Sequence, residues 1–268
     1  MPEDSRAGIG THWINVGQGP RPALFLHCSL ASSRALRPVM ERLGTDLSMT
    51  AIDLPGHGQS ADWDQSGDFV ARATDVAETF CDGPRDIVGH SLGAVVALSL
   101  MVRRPDLVRS AVLVEPVLFA AAKGSDAYRT YQQDHAPIIQ AIASGDAEAA
   151  TRAFTGIWGA PQPWDALPPP VRTAMTDRIP LVAATEPALD DDANGVLAPE
   201  RLEAVTAPVM LIRGGRSHPV IPAIFDTLSR RLPNMRIEVV QGAGHMAPIT
   251  HPQEVADLVR AHLELCDA

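Results

Sequence analysis

A run with strand character, Asp86-Ile87-Val88, is followed after only five residues by a long apolar run, Ala94-Val95-Val96-Ala97-Leu98-Ser99-Leu100-Met101. The residues between them are Gly89-His90-Ser91-Leu92-Gly93. A strand that passes into a helix over so short a stretch must turn sharply, and the turn lifts the residue at its centre clear of the backbone. In so tight a turn a Cβ at either flank would meet the neighbouring helix or strand. Glycine at 89 and 93 therefore has a steric reason, and Ser91 is the residue left projecting.

A buried strand of this kind needs parallel neighbours, and the chain supplies them. Ala23-Leu24-Phe25-Leu26, Met49-Thr50-Ala51-Ile52, Ser110-Ala111-Val112-Leu113-Val114, Pro208-Val209-Met210-Leu211-Ile212 and Met235-Arg236-Ile237-Glu238-Val239-Val240 are short apolar runs. Nearly continuous runs suit strands covered on both faces. Helical stretches separate them, among them residues 34–43 and a last helix that starts at Pro252. That helix sets Val255, Leu258, Val259, His262 and Leu265 on one stripe. The alternation predicts an α/β fold with a doubly wound, mostly parallel sheet. It is interrupted over 116–205, which is rich in alanine and proline and shows no convincing strand. We read 1–115 with 206–268 as the core domain and 116–205 as an inserted helical cap. Tyr128, Tyr131, Phe154, Trp158 and Trp164 lie in the insertion, interrupted by Pro161, Pro163 and Pro168-Pro169-Pro170. Such aromatics either form a small cap core or line an apolar pocket between cap and core.

With 268 residues, 46% of them hydrophobic, the chain can bury a full core. Its formal charge of −10, relieved by no basic cluster, argues against nucleic acid or an anionic membrane and for a small-molecule partner. Residues 1–20 hold no apolar run of signal-peptide length, and no later run reaches the length of a membrane span. The expectation is a soluble cytoplasmic protein. Three cysteines, Cys28, Cys81 and Cys266, show neither disulfide nor metal-ligand spacing. No metal or cofactor is called for, and composition leaves the oligomeric state open.

Four motifs in order make the chain resemble the α/β-hydrolase superfamily, specifically its capped members. Leu26-His27-Cys28-Ser29 is similar to the family's strand-end His-Gly loop, and Asp53-Leu54-Pro55-Gly56-His57-Gly58-Gln59-Ser60 to its next strand-end loop. Gly89 to Gly93 looks like the nucleophile elbow, and Gly242-Ala243-Gly244-His245 like the loop that bears the catalytic histidine. The resemblance implies that Ser91 is a nucleophile and His245 its general base. It also implies an oxyanion hole made by the backbone N–H groups of Leu92 and Ser29. Glycine is usual where Cys28 stands, and Cys28 reads as a small buried space-filler, with a reactive thiol as the alternative. His12, His135, His251 and His262 read as surface or packing residues, His90 as the variable residue of the elbow, and the 53–60 loop as a device that shapes backbone.

The third member of a triad departs from the family pattern. The usual aspartate position, laid onto Gly215-Arg216-Ser217-His218-Pro219, is filled by His218, which cannot supply a carboxylate. Some capped relatives carry the acid at the end of the strand after the elbow helix, and there this chain has Glu115. Glu115 is read as the acid. Asp190-Asp191-Asp192 is the competing source, though it looks more like a solvated acidic turn, and a dyad without acid is a third possibility. His218 is expected near Glu115 or His245.

A serine nucleophile implies acyl transfer. The first reading is a serine hydrolase that cleaves a small, partly apolar carboxylic ester, thioester or lactone through an acyl-enzyme. The alternatives are a carbon–carbon bond hydrolase or a cofactor-free perhydrolase on the same residues. A non-catalytic ligand receptor or scaffold of the same fold is the alternative of another class.

Overall fold

The computed structural model describes residues 3–159 and 162–266, so Pro161 lies outside it. Its described strands are β1 Glu3–Arg6, β2 Ile9–Val16, β3 Arg21–Leu26, β4 Leu47–Ile52, β5 Arg85–His90, β6 Val108–Val114, β7 Val209–Gly214 and β8 Met235–Val240. They form one eight-stranded sheet in the order β1-β2-β4-β3-β5-β6-β7-β8. From β4 to β8 every pairing is parallel. β1 and β2 add an antiparallel edge that the apolar runs did not announce. Its reason is visible in β2, which mixes polar and apolar residues and buries only Ile9, Thr11 and His12, so it lacks the continuous apolar run of the central strands.

The helices are α1 Arg37–Arg42, α2 Phe69–Glu78, α3 Leu92–Arg103, α4 Asp126–Ala143, α5 Ala147–Trp158, α6 Pro169–Thr176, α7 Pro180–Asp190, α8 Val220–Arg231, α9 Ala247–Thr250 and α10 Pro252–Cys266. The side chains of α2, α3 and α8 form one apolar layer with one face of the sheet, and those of α1, α9 and α10 form another with the opposite face. That double cover explains why the central strands are apolar on both faces. It also explains α3, whose residues 92–101 are all buried: an all-round apolar helix needs partners on every side. β8, at the sheet edge, is only half-buried despite its apolar run, and Ile237 is exposed. On α10 the buried stripe is Val255, Ala256, Val259, His262 and Leu263. Leu265 falls off that face and lies in solvent.

Between β6 and β7 the described chain is helical, from α4 to α7, with no strand. Ser125 and Asp146 accept the N–H groups of Tyr128 and Ala149, capping α4 and α5. This helical stretch has little core of its own. A small cluster joins Ala150, Ile179 and Val182 to Leu30, while Tyr128, Tyr131, Trp158, Ala188 and Leu189 merge with the main apolar layer. No described helix is long and apolar enough to cross a membrane.

Parallel register aligns the ends of the strands. Leu26 lies opposite Gly89, Gly89 opposite Leu113, and Val114 opposite Ile212. The loops that follow β3, β5, β6, β7 and β8 therefore leave the sheet along the same edge. Those loops carry Ser29, Ser91, Glu115, Ser217 and His245.

Candidate active site

Ser91 sits between the end of β5 and the first residue of α3, with φ 57° and ψ −116°. A non-glycine residue held in such a conformation costs about 1–3 kcal/mol and persists only where its surroundings over-determine it. Here they do. A Cβ on Gly89 would stand 2.5 Å from the carbonyl oxygen of Gly93, and one on Gly93 would stand 2.5 Å from the carbonyl carbon of Leu26. The Ser91 N–H also bonds the Val114 carbonyl at 2.9 Å. The two glycines thus let α3 start directly above β5 and against the end of β3, as their spacing predicts.

His245 follows β8 and points back across the sheet edge. Its Nε2 lies 2.9 Å from Ser91 Oγ, and its Nδ1 lies 2.6 Å from Glu115 Oε2. An ionised carboxylate only accepts, so Nδ1 carries the proton and Nε2 is left to accept from the serine hydroxyl. All three side chains are buried, Glu115 completely. Glu115 is itself tightly held: Oε1 accepts the Gly214 N–H at 2.7 Å and the Ser217 hydroxyl. Burial alone would raise its pKa. The imidazole of His245, then Ser217 and Gly214, more than offset that and hold the carboxyl below its ordinary value.

The other acidic candidates are engaged elsewhere. Asp190 accepts from the hydroxyls of Tyr128 and Tyr131 at 3.2 and 3.0 Å, Asp191 pairs with Lys123, and Asp192 accepts the N–H groups of Val196 and Leu197. The cluster is therefore not a uniformly solvated turn: only Asp191 is exposed, and burial raises the pKa of both Asp190 and Asp192. His218 bonds neither Glu115 nor His245. Its Nε2 faces Asp134 at 3.1 Å, and its ring packs on Trp158, which in turn packs on His245 with centroids 4.9 Å apart. The residue that reaches Glu115 is its neighbour Ser217.

One further residue escaped the sequence reading. His90, read there as the variable elbow position, is buried, and its Nε2 bonds the main-chain carbonyl of His245 at 2.9 Å. Burial and the neighbouring His245 lower its pKa to about 3, so it is a neutral donor that pins the histidine loop. His12, His135 and His262 are buried packing residues rather than surface ones. Asp53 anchors the loops around the site: Oδ1 accepts the Ser33 N–H at 2.7 Å, and Oδ2 meets the Gln59 N–H at 2.9 Å and His12 Nδ1 at 2.8 Å. His27 bridges the same region, with Nδ1 toward the Cys28 carbonyl at 2.7 Å and Nε2 accepting the Leu54 N–H. Burial raises the Cys28 thiol to about 12, which keeps it protonated and unreactive at neutral pH.

Leu92 is the first residue of α3, where a helix leaves N–H groups without intrahelical acceptors. Ser29 lies beside Ser91 in the walls of two cavities. One is an open cleft of about 530 Å³, mostly apolar, bounded by Leu30, Phe154, Trp158, Met175 and Ile249 and reaching His245. The other, of about 30 Å³, lies between Phe119, Tyr131, His135, Phe154 and Leu189. Phe154 and Trp158 wall both, whereas Trp164 stacks with Arg152 away from Ser91. Ser91 is thus the floor of a site with a wide outer and a narrow inner arm.

Comparison with known proteins agrees with this architecture. The chain is 32% identical over 254 residues to a pimeloyl-acyl-carrier-protein methyl ester esterase of Neisseria meningitidis, covering 90% of this chain and 92% of that protein. It is 29% identical over 260 residues to a 2-(acetamidomethylene)succinate hydrolase of Mesorhizobium japonicum, covering 92% and 90%. Among solved structures, a haloalkane dehalogenase loop variant from Bradyrhizobium elkanii superposes with a TM-score of 0.78 at 20% identity, covering 99% of this chain and 97% of that one. Likeness at that identity speaks for the fold alone. The model of the Alpha/beta hydrolase family matches residues 23–258, a span that runs from the first parallel strand into the last helix. This chain belongs to the α/β-hydrolase family of enzymes.

Proposed function

We propose that the protein is a serine hydrolase that cleaves small, partly apolar carboxylic esters through an acyl-enzyme, with Ser91, His245 and Glu115 as its triad. The observation that carries this reading is the unbroken chain of hydrogen bonds from Ser91 Oγ through His245 to Glu115, buried at the junction of two cavities. As Ser91 Oγ attacks the ester carbonyl, His245 Nε2 takes its proton, and the Glu115 carboxylate stabilises the imidazolium. The oxygen of the tetrahedral intermediate takes hydrogen bonds from the N–H groups of Leu92 and Ser29, each contributing about 2.7–4 kcal/mol at the transition state. His245 then protonates the departing alkoxide, which leaves the acyl group on Ser91. Water, deprotonated by the same histidine, releases the acid and restores the serine.

Residues 116–205 act in this reading as a lid over a core made of 1–115 and 206–268. The inner arm takes the acyl group, and its small volume of about 30 Å³ favours a short one. The outer arm takes and releases the leaving group. The methyl ester esterase relatives support a carboxylic ester, and a thioester or lactone would follow the same steps. Rapid mixing with 4-nitrophenyl acetate tests the reading. The expected result is a stoichiometric burst of nitrophenol, with acetate on the peptide that holds Ser91. Turnover that persists in Ser91→Ala, or an acetyl group on another residue, would refute it.

A further inference from the structure

The two arms of the site carry opposite charge. Among the described residues the outer cleft is bounded by Arg34 and Arg178 and by no acidic residue, whereas the inner arm is bounded by Glu186 and Asp190 and by no lysine or arginine. In a chain with a net charge of −10, two guanidinium groups facing an acid-free cleft are a local reversal of sign. Neither forms an ion pair with a carboxylate among the described residues, although Arg178 also borders a second cleft that holds Asp62 and Asp177. Among the described residues Arg178 bonds only main-chain carbonyls, those of Ala174 at 2.5 Å and Gly58 at 3.2 Å, and its Nε is buried with no partner among them. Its charge is felt by His27 and His57 beneath the loop that holds Ser29. The side chain of Arg34 is exposed at the cleft and makes no hydrogen bond or ion pair with the described residues.

We infer that the outer cleft is a subsite for a carboxylate carried on the leaving group of the ester, held by Arg178 and Arg34. This rests on the hydrolase reading for its assignment of the outer arm to the leaving group. A planar guanidinium presents paired donors that match the two oxygens of a carboxylate, and an apolar wall strengthens the contact by excluding water. The acids of the inner arm exclude the opposite arrangement, because an anionic acyl group there would face Glu186 and Asp190 with no cation in the wall. Substrate is thereby oriented by charge on both sides of Ser91: a neutral acyl group inward, an anionic leaving group outward. The cleft volume of about 530 Å³ accommodates an aromatic or short-chain carboxylate of ordinary metabolite size.

Binding to the Ser91→Ala protein separates this subsite from turnover. Calorimetric titration would compare 4-acetoxybenzoate with its near-isosteric neutral amide, 4-acetoxybenzamide. The expected result is a preference of roughly tenfold for the carboxylate, the low end for one charge-assisted hydrogen bond, shrinking as salt is raised. Adding Arg178→Gln should reduce the preference below about threefold. Arg178 also braces Gly58, so Arg34→Gln, which removes an exposed side chain with no bonds to lose, is the second variant and should lower the preference part way. Equal affinity for the two esters, no measurable binding of either, or a preference that survives both substitutions would overturn the inference. Selective binding in Ser91→Ala combined with no hydrolysis of either ester by the unaltered enzyme would instead count against the hydrolase reading and leave the subsite standing.

Discussion

Replacing Glu115 with Gln keeps size and shape while removing the charge that fixes the tautomer of His245. The outcome follows from the hydrogen bonds around it. Oε1 is committed to accepting, from Gly214 N–H at 2.7 Å and from Ser217. The amide oxygen of the glutamine must occupy that place, since an NH2 group there would face a buried N–H donor at a cost of about 1–3 kcal/mol. Its NH2 group is then directed at His245 Nδ1, where the carboxylate stood at 2.6 Å. Nδ1 must become the acceptor, the ring proton moves to Nε2, and His245 can no longer take a proton from Ser91. Loss of the competent tautomer in a serine protease lowers kcat by about 10⁴-fold, equivalent to about 5.4 kcal/mol at the transition state. We expect a loss of that order in steady-state hydrolysis of 4-nitrophenyl acetate, with urea unfolding showing a folded protein. A loss below about tenfold in a folded variant would remove Glu115 from the triad and refute the tautomer reasoning.

Ser217→Ala removes one donor from the same carboxylate without disturbing His245; kcat should fall about tenfold, the value of one charge-assisted hydrogen bond, and an unchanged kcat would show that the Gly214 N–H suffices. Asp53→Asn leaves at least one of the donors on Ser33, Gln59 and His12 facing an NH2 group, so it should lower unfolding free energy by about 1–3 kcal/mol while the folded fraction still hydrolyses 4-nitrophenyl acetate. A stable but inactive Asp53→Asn would place that residue in the chemistry. Acid should weaken the fold well above the carboxylate range. Burial lowers His57 and His90 to about 3, whereas in the unfolded chain they take up protons near 6.5. Between those values the unfolded state binds more protons, so stability is lost as pH falls below about 6.5, by up to about 1.4 kcal/mol per pH unit for each histidine. Urea unfolding near pH 7 and near pH 5 should differ by several kcal/mol, and identical midpoints would show that these histidines are not buried neutral.

The parts of the site that could be read in advance are those a single strand end dictates. Glu115 is the residue directly after an apolar run, and its neighbour strand is the one that leads into Ser91, so register alone brings the two loops to the same edge. The elbow glycines carry their own steric signature. What the sequence hides are contacts made across loops. Ser217 differs from its neighbour His218 only in which of the two side chains turns toward β6, and local sequence does not decide that. His90 acts through a carbonyl 155 residues away, for which no local pattern exists. The helical character of the stretch between β6 and β7 was legible because it lacks strand patterning. Its aromatics divide between the walls of the site and a contact outside it according to how the helices pack, so Tyr131, Phe154 and Trp158 border the cavities at Ser91 whereas Trp164 is buried against Arg152 away from them. Charge sorting between the two arms is likewise a property of the assembled fold, since Arg34 and Arg178 stand 144 positions apart in the chain.

An activated serine is the central claim, and a fluorophosphonate probe tests it most directly because it reacts with such a serine whatever the natural substrate. Intact mass should show one adduct on the unaltered protein, none on Ser91→Ala, and greatly slowed labelling of His245→Ala and Glu115→Gln. Labelling of Ser91→Ala at the same rate, or equal rates for all four folded proteins, would contradict the account.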